Sequence, residues 1–477
     1  MKIALIVDNP KRDLSGMALL AYRLCQMGAT CFLVPFNLRD TELWALAPDF
    51  VLLNYLRVNN QELAKRMIQA GIKVGVLDTE GGVFSESLKE FIQAPDNEAR
   101  ENITAYFTWG SKQAEYLVSN QYYFPEQVHI TGAPRYDFYM SDYHNCTSEP
   151  SIFKDIKNKS MILIATNFSL ANPAFKTAEE EIEMLISTYG LIKDDVLKQY
   201  EVDKNCLHSV AMLANRLADA FPQAEFVLRP HPFENINTYR ELLEPRPNLH
   251  LIKSGSVEQW IMRSIAIIQQ GSSTSVEAGL AGKPSFMLEW VPRRVHSTTV
   301  ESVSIKCDSE EELKENINSV INGEFQLHPE INGAINDVVN NWFYKIDGKA
   351  HERIADLIIE LTKNNYNQAA IKTNCRNNYY GCEYNRLSTK NMLIGKISSM
   401  YRQYKSLTNS NYQIDSLPWD ESEKSYNDEQ VRNIVESIIT GLKNNIAGKE
   451  VRVEASQKHG DYNFGYQKGR SVTIYSK

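Results

Sequence analysis

The sequence predicts an α/β protein with two parallel-sheet domains and a mostly helical C-terminal extension. Three observations carry this. Short apolar runs of strand length alternate with helix-length amphipathic segments up to about residue 330, the pattern of βαβ units. A polar, irregular stretch over residues 142–160 divides that series in two. From Asn364 onward the composition shifts toward Asn, Tyr and Ser. The expected domains are therefore residues 1–145 and 160–330, a returning helix over 331–365, and an extension over 366–477.

The whole chain sets the outer bounds. It has 477 residues, is 43% hydrophobic and carries a net charge of -8. That balance argues against a general nucleic-acid binder, which is normally basic. The seven cysteines are scattered and form no C-x-x-C, so neither a disulfide framework nor a zinc site is expected. The N-terminus does not read as a signal peptide, and no apolar run reaches the roughly 20 residues of a spanning helix. A cytoplasmic location is expected.

In the first domain, strands are expected over residues 3–7, 30–34, 50–54, 72–77, 106–108 and 128–131. Helices are expected over 17–26, 61–70 and 112–119. The opening is Rossmann-like. Its first loop, residues 8–16, lacks G-x-G-x-x-G, so no dinucleotide is implied. Directly after the fourth strand stands Asp78-Thr-Glu80-Gly81-Gly82. A carboxylate at a strand's carboxyl end, beside glycines that let a substrate approach the backbone, suits a general base or a nucleophile. The same residues also suit a plain turn. Asp78 and Glu80 are the catalytic candidates, with Gly81 and Gly82 at the substrate. After the sixth strand, Gly132-Ala-Pro-Arg135-Tyr-Asp137 forms a tight loop. Arg135 and Asp137 can contact a substrate there, or pair with each other.

In the second domain, strands are expected over 161–165, 226–228, 249–252, 265–268 and 285–288. Helices are expected over 177–188, 203–220, 311–321 and 335–362. Ligands of such sheets sit at the carboxyl ends of the strands. Three polar clusters fall there: Thr166-Asn167, Arg229-Pro-His231-Pro232, and Gly271-Ser272-Ser273-Thr274-Ser275 with Glu277 following. The last opens a helix, where backbone N–H groups and hydroxyls suit an anion. Thr274 and Glu277 alternatively form a capping box. The imidazole and the serine-rich helix start, taken as lying on neighbouring strands, make a plausible phosphate cradle. In the tail, residues 364–412 hold seven basic side chains against Glu383 alone. This segment suits either an anionic membrane surface or packing on the acidic body.

Together these motifs resemble the GT-B glycosyltransferases, two Rossmann-like domains facing across a cleft. Bacterial sialyltransferases and Kdo transferases carry an acidic-acidic-Gly motif in the first domain, then His-Pro, then paired Ser/Thr. Here Thr79-Glu80-Gly81, His231-Pro232 and Ser272-Ser273-Thr274 occur in that order, with one acid of the pair replaced by Thr79 or shifted to Asp78. The resemblance covers roughly residues 1–365. It implies a CMP-activated acidic sugar, Kdo or sialic-acid-like, as donor and a glycan or glycolipid as acceptor. It implies no metal or other cofactor, and peripheral contact with the inner membrane is compatible with it. Glu80 would act on the acceptor hydroxyl. His231 and the helix start would stabilise the departing phosphate. CDP-glycerol glycerophosphotransferases and UDP-sugar 2-epimerases share parts of the pattern, and a non-catalytic scaffold is a third reading.

Overall fold

The computed structural model describes residues 1–79, 92–143, 146, 160–189, 191–292, 297–363, 367–387, 425–442, 450–466 and 469–476. The chain divides into two compact units. One takes the N-terminal part and, again, everything from Trp342 onward; the other takes the stretch between, ending at Asn341.

The first unit is built on strands β1 (Lys2–Val7), β2 (Thr30–Pro35), β3 (Phe50–Leu53), β4 (Lys73–Leu77), β5 (Ala105–Thr108) and β6 (Val128–Ile130). All six run parallel, and β1, β3 and β5 read as near-continuous apolar runs because helices cover both faces. Their order is β2-β1-β3-β4-β5-β6, so the winding reverses between β1 and β3. The second unit holds β7 (Met161–Ala165), β8 (Glu225–Arg229), β9 (Leu249–Leu251), β10 (Ala266–Gln269), β11 (Ser285–Leu288) and β12 (Ile305–Cys307). These are again all parallel, in the order β12-β11-β10-β7-β8-β9. Each unit is thus the doubly wound α/β layer structure that the sequence leads one to expect. The core of the second unit packs Phe226, Leu228 and Ile268 of the sheet against Leu213 and Leu217 of the long helix Lys193–Ala220.

Several expectations need correction. The stretch over residues 8–16 is not a loop: the first helix runs over Pro10–Gln26. Asn9 caps it through a bond from Lys11 N–H at 3.0 Å, and Pro10 occupies the first helical position, where its missing N–H costs nothing. The helix expected over 335–362 is broken. Helix Pro329–Val338 ends in a π-turn over Val339–Phe343, and a new helix runs over Ala350–Thr362. Tyr344 and Gly348 between them have φ of 61° and 71°, outside helical backbone. The chain changes unit at Trp342, some residues after the boundary expected at 330.

The tail departs furthest from expectation. Helices Gln368–Leu387 and Asp428–Gly441 agree with its helical reading. Its end, however, is a ribbon of β13 (Val451–Ala455) and β14 (Val472–Ser476) that joins the first sheet, β14 lying antiparallel to β2. Val472 and Ile474 are buried, and Cys25 Sγ donates to the Ile474 carbonyl at 3.0 Å. Glu42 locks the junction. Its carboxylate, fully buried, accepts from Arg470 N–H at 2.7 Å, Ser471 N–H at 2.9 Å, Tyr462 Oη–H at 2.7 Å and the Ser471 hydroxyl. Most of the basic segment lies outside the described residues. Its described start, helix Gln368–Leu387, buries Ile371, Cys375 and Tyr379 and exposes Lys372 and Arg376. No described helix is long and apolar enough to cross a membrane.

Candidate functional site

In the second unit the strand order reverses between β7 and β10. Adjacent loops diverge at such a switch point and leave a crevice at the strands' carboxyl ends. Thr166 and Asn167 follow β7; Gly271 to Ser275 follow β10. The His-Pro segment follows β8, on the other side of β7. His231 and Ser272 therefore do not stand on neighbouring strands, as the sequence suggested; β7 lies between theirs. The reason is topological, since the chain winds out through β8 and β9 before crossing back to β10.

The β10 loop is set by two amides that the sequence reading passed over. Gln269 Oε1 accepts from Ser272 N–H at 2.8 Å, and its Nε2 donates to Ser304 Oγ at 3.1 Å. Gln270 holds the end of β11, accepting from Leu288 N–H at 3.2 Å and donating to the Leu288 carbonyl at 2.9 Å. Two consecutive buried amides ending an apolar strand were the available signal. Gly271 turns the chain at φ 73°, a conformation that glycine adopts without strain. Ser272 and Ser275 face inward; Ser273 and Thr274 remain half-exposed. The capping box does not form: the helix Thr274–Leu280 begins at Ser273 with no side-chain cap. Glu277 instead lies buried in the electrostatic field of Arg229, together with Glu258.

Arg229 is correspondingly internal. It is 7% exposed, donates to the Gly255 carbonyl at 2.7 Å, and has no partner for its buried Nε among the described residues. It braces the loop rather than offering a free guanidinium. Thr166 is also turned inward: its hydroxyl bonds both oxygens of Glu234, at 2.9 and 3.1 Å. These two side chains, expected at a nucleotide, are committed to the protein. Asn167 is half-buried at the end of β7.

Glu234 is the hub that sequence reasoning missed. Fully buried, it accepts from Thr166, from the Tyr239 hydroxyl and from His231 N–H at 3.1 Å. Burial raises its pKa, and these donors act against that rise. It fixes the turn in which Pro232 restricts the backbone. On the ring of His231, Nδ1 accepts from Phe233 N–H at 3.2 Å, which assigns the ring proton to Nε2. Burial, then the neighbouring Arg229 and Lys253 cations, bring the His231 pKa down to about 4. His231 is thus a neutral hydrogen-bond donor near pH 7, not an imidazolium. Lys253, just past β9, donates to the Glu234 carbonyl at 2.7 Å.

The first unit carries a second polar focus at the ends of β1, β4, β5 and β6. Asp13, Asp78, Thr79, Trp109, Pro134 and Arg135 line an open depression there. Asp78 lies beneath it, 1% exposed, with its carboxylate paired to Arg57 at 3.3 Å and its carbonyl accepting from Trp109 Nε1–H at 2.6 Å. Such a carboxylate braces the site more than it offers itself as a base. Arg12 ties Asp8, Asp13 and Thr79 together, with Thr79 Oγ1 at 3.1 Å. Arg135 lies over the rings of Trp109 and Tyr136, 5.6 and 4.6 Å from their centroids. Its backbone presses on Gly16, where a Cβ would stand 2.7 Å from Arg135 N. Asp137 is not in the depression and does not pair with Arg135. It caps helix Ala350–Thr362, accepting from Ala350 N–H at 3.0 Å, His351 N–H at 2.9 Å and His351 Nδ1 at 2.8 Å. Glu80, Gly81 and Gly82 lie outside the described residues. Among the described residues, no group of three His, Cys, Asp or Glu is placed to hold a metal ion.

No protein-family model matches the chain, and no curated protein matches it. Solved structures do. A Staphylococcus aureus MnaA co-structure with UDP is 16% identical over 76% of this chain and 97% of its own, with a TM-score of 0.45. The UDP-GlcNAc 2-epimerase from Neisseria meningitidis bound to UDP-GlcNAc is 17% identical over 76% of this chain and 100% of its own, at 0.47. The wall teichoic acid polymerase TagF with CDPG is 12% identical over 76% and 88%, at 0.44. The chain is similar to sugar-nucleotide epimerases and a teichoic acid polymerase; its own strand orders define it as two Rossmann-like α/β units.

Proposed function

We propose that this protein is an enzyme acting on a nucleotide-activated sugar or polyol, with the nucleotide's phosphate seated in the second unit. One observation carries the reading: the reversal between β7 and β10 opens beside the Gly271–Thr274 turn. The half-exposed hydroxyls of Ser273 and Thr274 at the end of β10, and the Nε2–H of His231 two strands away at the end of β8, are the donors offered to the ligand's phosphate groups. Charge developing on a departing phosphate oxygen is stabilised by donors already in place, which need no reorganisation during the reaction. Glu80 is the proposed acid/base, following Asp78 and Thr79 in sequence. Asp78, Arg57 and Trp109 brace the strand end that leads to it.

The motifs point to a CMP-linked acidic sugar. The structures named above are described with UDP, UDP-GlcNAc or CDPG, and none is a CMP-sugar transferase. We therefore place the diphosphate-linked substrates, UDP-GlcNAc and a CDP-polyol, ahead of the CMP-sugar. The test is a substrate panel of UDP-GlcNAc, CDP-glycerol, CMP-Kdo and CMP-sialic acid, supplied separately. Turnover is followed as released nucleotide and as epimerised sugar. Turnover of one diphosphate-linked member, lost in His231→Ala, supports the proposal. Turnover of a CMP-sugar alone restores the motif-based reading, and binding of none removes the enzyme reading.

A further inference from the structure

We infer that Glu234 is a positioning residue for the ligand: by clamping the loop after β7 to the turn after β8, it aims the Nε2–H of His231. This rests on the nucleotide reading above and deepens it. Glu234 is fully buried, and donors from both loops meet its carboxylate. Thr166 Oγ1, just past β7, lies 2.9 and 3.1 Å from its two oxygens. Phe168 N–H, two residues on, supports its charged form. From the other side come His231 N–H at 3.1 Å and the hydroxyl of Tyr239, on helix Ile236–Leu242. The main chain closes around this centre. Ala174 N–H donates to the Phe233 carbonyl at 2.8 Å, and Asn235 N–H to the Asn172 carbonyl at 3.0 Å. Asn172 adds its side chain, donating to the Asn235 carbonyl at 2.9 Å and accepting from the Thr238 hydroxyl at 2.7 Å.

A turn of this kind does not need a carboxylate. Pro232 restricts its backbone, and the bonds between the loops satisfy its main chain. Placing a carboxylate inside is costly, since burial raises the Glu234 pKa against the pull of its donors. What the carboxylate adds is direction for His231. Nδ1 of that ring is held by Phe233 N–H at 3.2 Å, and the ring meets Phe233 edge to face, with 5.3 Å between centroids. Both contacts come from the residue directly before Glu234, while Glu234 holds the N–H of His231 itself. Fixing Glu234 against the end of β7 therefore fixes the ring. A donor already in place costs no reorganisation when charge develops on a phosphate.

Isothermal titration of the full chain with UDP, CDP and CMP tests the inference in a double-mutant cycle of Glu234→Gln and His231→Asn. Gln keeps the shape but presents an amide NH2 to groups that are themselves donors. Glu234→Gln should raise the Kd of the nucleotide that binds the wild type about 10- to 150-fold, as the loss of a hydrogen bond to a charged group does. In the His231→Asn background the same substitution should add less than about threefold, because the donor it aims is already gone. Losses that multiply fully in the double variant overturn the inference, as does an unchanged Kd in Glu234→Gln. Thr166→Val keeps the carboxylate and removes its donor at the end of β7. It should weaken binding in the same His231-dependent way, and it carries the test if Glu234→Gln does not fold. Nitrogen NMR of His231 gives a readout that a purely structural carboxylate would not move. The wild-type ring should be protonated at Nε2 alone, and Glu234→Gln should populate both tautomers. A single tautomer in both proteins counts against the inference. Those failures leave the nucleotide reading standing; a wild type that binds none of the three nucleotides overturns both.

Discussion

Replacing His231 by Asn and by Gln separates the two jobs of its ring. An Asn Oδ1 takes the place of Nδ1 and keeps the bond from Phe233 N–H, 3.2 Å long in the native protein, but has no group at the position of Nε2. A Gln amide N–H reaches the Nε2 position and loses that internal contact. If the imidazole serves as a neutral donor to phosphate, Asn forfeits a hydrogen bond to a charged acceptor. That contributes about 1.5–3 kcal/mol, so nucleotide Kd should rise about 10- to 150-fold. Gln should stay within about fivefold, less than the tenfold that 1.4 kcal/mol represents. Titration calorimetry with the preferred nucleotide measures both. The pH profile adds a second criterion. With its pKa down at about 4, His231 is unprotonated through the neutral range. Affinity should therefore be flat with pH once the phosphate's own ionisation near 6 is accounted for. The linkage has a definite sign. The folded pKa is depressed below the unfolded value of about 6.5, so the associated stability is present above that pH and is lost as pH falls toward 4. The loss is at most about 3 kcal/mol, reduced by the ring's partial exposure, and absent in His231→Gln. Affinity that climbs steeply below about pH 6.5, or an Asn variant that binds as well as Gln, refutes the neutral-donor reasoning.

The other predictions concern the first unit. Glu80→Gln should cut turnover by about 10²- to 10⁴-fold with nucleotide Kd unchanged, and retention of more than about a tenth of the activity removes Glu80 as acid/base. Asp78→Asn removes the buried carboxylate that pairs with the half-buried Arg57, so it should lower stability by about 1–3 kcal/mol in a denaturant titration; a variant of normal stability without activity would move the chemistry to Asp78. Glu42→Ala takes the acceptor from four donors, of which the two on Ser471 are buried and cost about 1–3 kcal/mol each. Residues 451–476 should then exchange amide hydrogens far faster, while the second unit exchanges as before. Unchanged protection of β14 would show that Glu42 does not hold the tail. Burial raises the Glu42 pKa, so its contribution is full below the unfolded carboxyl pKa of about 4.3 and is lost as pH rises through the raised value. Glu42→Gln should flatten that slope in melting curves taken across the acid range.

Most of the parallel strands were legible in the sequence because a buried parallel strand is a local signal; the short, half-exposed β12 and the tail strands β13 and β14 were not. Residues 161–165 and 285–288 were placed to the residue, and the two chemical loops of the second unit fall at strand ends as expected. Helix Pro10–Gln26 was legible only over its apolar part, residues 17–26; its polar start at Asn9-Pro10 was read as a loop. What the sequence did not determine is which elements become neighbours. That β7 separates His231 from Ser272 follows from chain winding, not from any residue. Asp137 reads locally as a loop carboxylate; its role comes from Ala350 and His351, 213 and 214 positions away. Thr166 and Arg229 look like ligand contacts until Glu234 and Gly255 are brought against them. The tail's place in the first sheet depends on Glu42 meeting Ser471 across 429 positions. A polar side chain in water and one satisfied inside the fold look alike in sequence. Only the tertiary structure, by burying one partner against another, decides which is free to bind.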